Sequence, residues 1–205
     1  MDVSRVMVLR EMLASSGWVE RTQGFASTLR RRTTEPGGLL LVGTPQAEPW
    51  HLAAHLDDES RWSKTPQLSP TLVRYQAPAN APAHLAVTLE RLEAARKGET
   101  LFVVSEETAP EMLLERAWDA RKLGATVLSL DAGDEELHGV AHESLVVPSA
   151  NKSSLVVPEL DVVSFDSVQH LVSVAAGEAA SGRSSKSMRQ RMAKFLEQLS
   201  GPRIS

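Results

Sequence analysis

The 205-residue chain has no cysteine, a single tyrosine and an aromatic content of only 4%. Without cysteine there can be no disulfide, no thiolate nucleophile and no cysteine-ligated zinc, which agrees with a reducing compartment. With so few aromatic residues the core has to be built from Leu, Val and Ala. No apolar run approaches the ~20 residues needed for a membrane-spanning helix. The N-terminal stretch MDVSRVMVLREML lacks the basic start and uninterrupted apolar segment of a secretory signal. Both absences point to the cytoplasm. Internal repeats are absent as well, and no change of composition before residue 179 marks a second core, so one domain with an appendage is expected.

Charge is present but unevenly placed. The formal net charge is −4, and from Arg183 onward there are six Lys or Arg against one Glu, so a basic tail follows an acidic body. Residues 179–205 read as a flexible polar linker (ASGRSSKS) and then a helix over 187–199. In that helix Met188, Met192, Phe195, Leu196 and Leu199 form one apolar stripe. Such a stripe can dock a protein partner or pack on a second subunit, while the tail is too short and too sparsely basic for a nucleic-acid module and carries no convincing membrane signal.

Along residues 1–178 the pattern is an alternation. Helices are expected over 3–15 and over 18–31. EPGG then breaks the chain before LLLV, an apolar run suited to a strand covered on both faces. WHLAAHLDDESRW has a helical period, and TLVRY, in a Pro- and Ser-rich connection, reads as a short edge strand. AHLAVTLERLEAARKG predicts a helix with Leu85, Leu89, Leu92 and Ala95 on one face and Gly98 at its end. The remainder runs TLFVV (strand), PEMLLERAWDARKLG (helix), ATVLSL (strand), DEELHGVAHE (short helix), SLVVP (strand) and FDSVQHLVSVAAGE (apolar helix). This order predicts a doubly wound, three-layer α-β-α sandwich on a parallel sheet. Ligands of such sheets sit at the C-terminal strand ends, so the loops after Val42, Val104 and Leu130 are where function should lie.

Two turns carry the chemistry. In LFVVSEETAPE a strand leads through Ser105, Glu106, Glu107 and Thr108 into a helix whose free N–H groups could hold an anion. The same residues also fit a helix cap, with Thr108 bonding toward Glu111 in a capping box and Pro110 near the helix start. After the first strand comes Gly43-Thr44-Pro45. Histidine pairs four residues apart, His51/His55 and His138/His142, have the spacing of helical metal ligands, but HLAAH lacks the Glu of a zincin motif, so no metal is expected.

The run of elements, strongest from Thr100 to Pro148 and extending over roughly residues 3–178, resembles the sugar isomerase (SIS) domain of phosphosugar isomerases and phosphosugar-sensing regulators. SVQHLVSVAAGE is similar to the closing helix of its phosphoheptose-isomerase-like branch. The resemblance implies a five-stranded parallel sheet and a homodimer or homotetramer. It also implies a sugar or sugar-phosphate site formed by Gly43, Thr44, Ser105, Glu106, Glu107 and Thr108, with His170 as a proton mover in any isomerase and Glu111, Glu106, Glu107 or Asp166, four residues away on the same helix, as its acid/base partner. No cofactor is implied.

The turn after the third strand departs from the family's Ser-x-Ser-Gly-x-Thr pattern: Ser105 and Thr108 can match hydroxyl positions, but the second Ser and the Gly are missing and Glu106 and Glu107 stand in the turn. Gly lets a backbone approach phosphate closely, and each carboxylate within about 4 to 6 Å repels a dianion. The expectation is therefore a regulatory or non-catalytic binder of a sugar-derived metabolite. An active aldose–ketose isomerase and an oligomeric scaffold that recruits a partner through helix 187–199 stand as alternatives.

Overall fold

The computed structural model describes residues 17–77, 79–82, 85–148 and 164–178. The helices expected over 3–15 and 187–199, and the linker before the latter, lie outside the described residues.

Five strands form one sheet: β1 (Leu39–Val42), β2 (Pro70–Val73), β3 (Thr100–Ser105), β4 (Thr126–Asp131) and β5 (Glu143–Val146). Their order is β2-β1-β3-β4-β5 and every pairing is parallel. Successive strand residues point to opposite faces, and here both faces are apolar. Leu39, Leu41, Phe102, Val104, Leu128 and Leu130 pack on one side with α1 (Trp18–Arg32), α2 (Trp50–Ser63) and α5 (Phe165–Glu178). Leu40, Val42, Leu101, Val103 and Val127 pack on the other with α3 (Glu111–Lys122), α4 (Glu135–Val140) and a 3₁₀ turn over Leu89–Ala94. This is the three-layer sandwich with a five-stranded parallel sheet that the alternating pattern predicts. No described helix is long and apolar enough to cross a membrane.

The helices form where apolar residues recur at helical spacing. In α5, Val168, Leu171, Val172, Ala175 and Ala176 are all buried. In α1, Trp18, Phe25, Ala26 and Leu29 do the same, and Phe25 meets Phe102 of the sheet at 5.3 Å between ring centres. The two helices are tied by Arg30, whose Nη1 donates to the carbonyls of Ala175 and Ala176 at 2.6 and 3.1 Å. These lie in the last turn of α5, where helix carbonyls lack internal partners and a cation is favourable.

The helix expected over 83–97 is not formed as one. Thr88 is extended and forms a parallel bridge with Arg74, and the Arg74 N–H donates to Val87 O at 2.9 Å, so this stretch continues the sheet edge. Leu89–Ala94 coils as 3₁₀ turns that bury Leu89 and Leu92 three residues apart. The apolar spacing is satisfied by either geometry, and pairing of the Val87–Thr88 backbone beside β2 decides between them. Gly98, expected as a helix terminator, takes φ +91° in the turn that feeds β3.

At the C-terminal end of β4 the fold is pinned by two carboxylates. Asp131, fully buried, accepts from Ser129 Oγ, the N–H groups of Gly133 and Asp134, and His138 Nε2, all within 3.1 Å. Asp134 caps α4 through Oδ1, which accepts from Glu136 N and Leu137 N, and its Oδ2 accepts from Ala109 N at 2.7 Å in the loop after β3. One side chain thus holds a helix start and a neighbouring loop. Replacing Asp134 with Ala removes the cap, worth about 1 kcal/mol, and strands the buried Ala109 N–H at about 1–3 kcal/mol. A loss of roughly 2–4 kcal/mol is expected in urea denaturation of Asp134→Ala, and a loss below about 0.5 kcal/mol would show that the tie is unimportant.

Candidate functional site

The chain enters the sheet at β1, goes out to the edge strand β2 and returns across β1 to β3, so strand order reverses between β1 and β3. In an open α/β sheet the loops leaving the two strands diverge at such a reversal and open a crevice. A cleft of about 270 Å³ lies there, lined by the loop after β1 (Ala47, Glu48, Pro49), the first turn of α2 (Trp50, His51), the end of β3 (Val104, Glu106) and the start of α5 (Phe165, Asp166, Gln169).

Each segment reaches the cleft for a local reason. Gly43 allows the loop after β1 to turn back on itself: a Cβ there would collide with Ala47 O and stand 2.7 Å from Pro49 Cδ. Thr44 N and Ala47 O then pair at 3.2 Å, Ala47 N donates to Thr44 O at 3.2 Å, and Thr44 Oγ1 accepts from the same N–H. The loop is a closed knot of hydrogen bonds that delivers Glu48 to the cleft. Glu48 is clamped by Arg74 at the end of β2, with Nε on Oε1 at 3.0 Å and Nη2 on Oε2 at 2.9 Å, and Trp50 Nε1 donates to Oε2 at 2.8 Å. The same guanidinium lies 5.0 Å from the Trp50 ring centre.

The β3 loop is likewise spent on itself. Ser105 is buried, and its hydroxyl donates to Glu107 O at 2.6 Å. The capping box from Thr108 to Glu111 is not formed: α3 starts at Glu111, Pro110 is its cap residue, and no side chain bonds its first turn. Proline at that position fixes an extended entry, and the preceding Ala109 N–H is taken by Asp134, so the chain is held without the threonine. Thr108 and Glu107 are exposed. Glu106 alone of this turn lines the cleft, and partial burial, reinforced by Asp166 and Glu107, pushes its carboxyl above the usual range.

Of the residues selected from sequence, then, Glu106 lies in the cleft wall, Gly43, Thr44 and Ser105 shape the loops behind it, and Glu107, Thr108 and Glu111 are exposed outside its lining. His170 sits one turn beyond Asp166 on α5, with its ring edge-on to His55 of α2 at 4.1 Å between centres. Burial, followed by the charge of His55, lowers the His170 pKa to about 4, and burial also lowers His55. His51 lines the cleft, whereas His138 is engaged by Asp131 and His142 Nδ1 accepts from Val127 N at 3.0 Å near the other end of the sheet. Sequence reasoning pointed to the loops after β1 and β3 and to Asp166, and passed over Glu48, Trp50, Phe165 and Gln169. A readable signal was the pair of aromatic residues at helix starts, Trp50 after Glu48-Pro49 and Phe165 before Asp166, both just past strand-to-helix connections. Among the described residues the cation beside the cleft, Arg74, comes from the end of β2 and not from either loop.

Two measurements test this geometry. Gly43→Ala forces backbone against backbone and should destabilise the protein by about 1–3 kcal/mol, as overpacking does; an unchanged urea midpoint would contradict the close approach. The paired imidazoles set a pH dependence. Because His170 titrates lower when folded than its ordinary value of 6.5, the unfolded chain takes up the proton first, so stability present above that value is lost as pH falls toward about 4. The thermal midpoint should drop over that interval, and His170→Leu should flatten the drop; an unaltered profile would contradict the burial.

No family model matches the chain, and no curated protein matches it. Solved structures do. A candidate sugar-binding protein of Salmonella typhimurium LT2 superposes with a TM-score of 0.59 at 15% identity, over 96% of this chain and 53% of that one. The sugar isomerase domain of the RpiR transcription factor from Sphaerobacter thermophilus gives 0.52 at 12% identity, over 95% and 94%. The NanR protein of Vibrio vulnificus, solved with ManNAc-6P, gives 0.51 at 14% identity, over 98% and 71%. This chain spans about half the length of the first of these and of two phosphosugar-isomerase-like structures. The architecture built above from strand order and burial is the SIS-type α/β sandwich.

Proposed function

We propose that the protein binds a sugar-derived small molecule in the cleft between the β1 and β3 loops and does so without catalysing its conversion. The observation that carries this reading is the location of an aromatic and carboxylate-lined cleft at the strand-order reversal of a sugar-isomerase-type fold. Indole and phenyl rings offer apolar area to the C–H face of a sugar, and Glu106, Asp166 and Gln169 offer acceptors and donors to its hydroxyls. Similar folds in NanR, complexed with ManNAc-6P, and in the RpiR sugar isomerase domain support a sugar-sensing role. The reading includes kinship with the phosphoheptose-isomerase-like branch, which the closing helix SVQHLVSVAAGE supports.

The non-catalytic part follows from where the proton movers stand. An isomerase needs an acid and a base that share the substrate. His170 is outside the cleft lining, edge-on to His55 with its pKa lowered to about 4, and Glu111 is exposed at the start of α3. Neither is placed or tuned for transfer between adjacent sugar carbons near neutral pH.

The test is thermal unfolding against a panel of free sugars, amino sugars, sugar phosphates and nucleotide sugars. A ligand present at about 100 times its Kd should stabilise the protein by about 2.7 kcal/mol. That shift should vanish in Trp50→Ala, whose partly exposed side chain can be truncated without opening the core. A flat response across the panel, or a shift that survives Trp50→Ala undiminished, would contradict the assignment.

A further inference from the structure

We infer that the compound this cleft selects is an amino sugar, a hydroxylated ring bearing an ammonium group and no phosphate, held between the carboxylates of Glu106 and Asp166 beside the Trp50 indole. The inference rests on the preceding reading of the cleft as a sugar site and gives that site a ligand class.

The first support is what the neighbouring loops no longer offer. A phosphate at a strand-to-helix junction needs free hydroxyls and free backbone N–H groups. Here Ser105 Oγ donates to Glu107 O, Thr44 N to Ala47 O and Ala109 N to Asp134 Oδ2. These three donors are consumed within the protein, so a dianion would arrive without them.

The second support is the charge balance of the wall itself. Three carboxylates line the cleft, and Arg74 neutralises only Glu48, to which it is doubly bonded. Among the described residues Glu106 and Asp166 have no ion-pair partner and no Lys or Arg is in the lining. They are near enough for Asp166 to raise the Glu106 pKa, while Asp166 Oδ1 has one donor, Gln169 Nε2, at 3.3 Å. An ammonium group set between the two would relieve this repulsion and make charge-assisted hydrogen bonds. A phosphate would add to it.

The third support is size and surface. At about 270 Å³ the cleft lies just under the roughly 300–1,000 Å³ of pockets for drug-sized ligands, which suits a monosaccharide. Trp50, 43% exposed, and the half-buried Phe165 give it apolar wall that a bare cation would not need but a sugar ring would.

The test is calorimetric titration of the whole protein at low salt near pH 7, where free imidazole is mostly neutral, with D-glucosamine, D-glucose and D-glucosamine 6-phosphate. Glucosamine should bind about tenfold more tightly than either of the others, and the shape-preserving double variant Glu106→Gln, Asp166→Asn should reduce that preference to within about threefold. If the 6-phosphate binds as well as glucosamine, if glucose does, or if the preference survives in the double variant, the inference is overturned; the sugar site itself then stands provided that Trp50→Ala still weakens binding. If none of the three binds and the wider panel gives no thermal shift, the underlying reading fails and takes the inference with it.

Discussion

The constraint on which this molecule depends is a sheet apolar on both faces. Leu39, Leu40, Leu41 and Val42 are all fully buried, as are Leu101, Phe102 and Val103, so no side chain along the middle of β1 or β3 is available for chemistry. A sheet of this kind must be covered by helices on each side, and in β1 and β3 polar residues are left only at or beyond the strand ends. Function is thereby confined to loops, and the strand order fixes which loops diverge. The cleft lies where these two requirements meet.

What the loops then do is decided by hydrogen-bond accounting. Buried backbone and hydroxyl groups must find partners, and those around Ser105, Thr44 and Ala109 find them within the protein. Asp134 is central to this closure because one carboxylate satisfies the start of α4 and the loop after β3 together. The carboxylates that face solvent in the cleft, Glu106 and Asp166, are the groups left over. The site is defined as much by which donors are used up as by which acceptors remain.

Much of this was legible in the sequence, for physical reasons that can be named. LLLV and TLFVV read as doubly covered strands because they have no polar alternation, and α5 read as a core helix because its apolar residues recur at 3, 4, 7 and 8. The stretch 83–97 misled because Leu89 and Leu92 fit a 3₁₀ turn as well as an α-helix, and the backbone pairing of Val87 with Arg74 lies outside any local pattern. Thr108 misled similarly: its spacing to Glu111 suits a capping box, but the loop is held by Asp134, distant in sequence. The cleft joins residues from 47 to 169, and only the loops, not the partners across them, can be found by reading along the chain.

The most direct test of the central claim is the Trp50 indole N–H resonance in a two-dimensional NMR titration with the sugars that shift thermal stability. The account predicts that this signal moves together with the backbone amides of His51, Glu106 and Gln169. Perturbations gathered instead around Arg32, Thr126 and His142, which line an open cleft at the opposite end of the sheet, would contradict it.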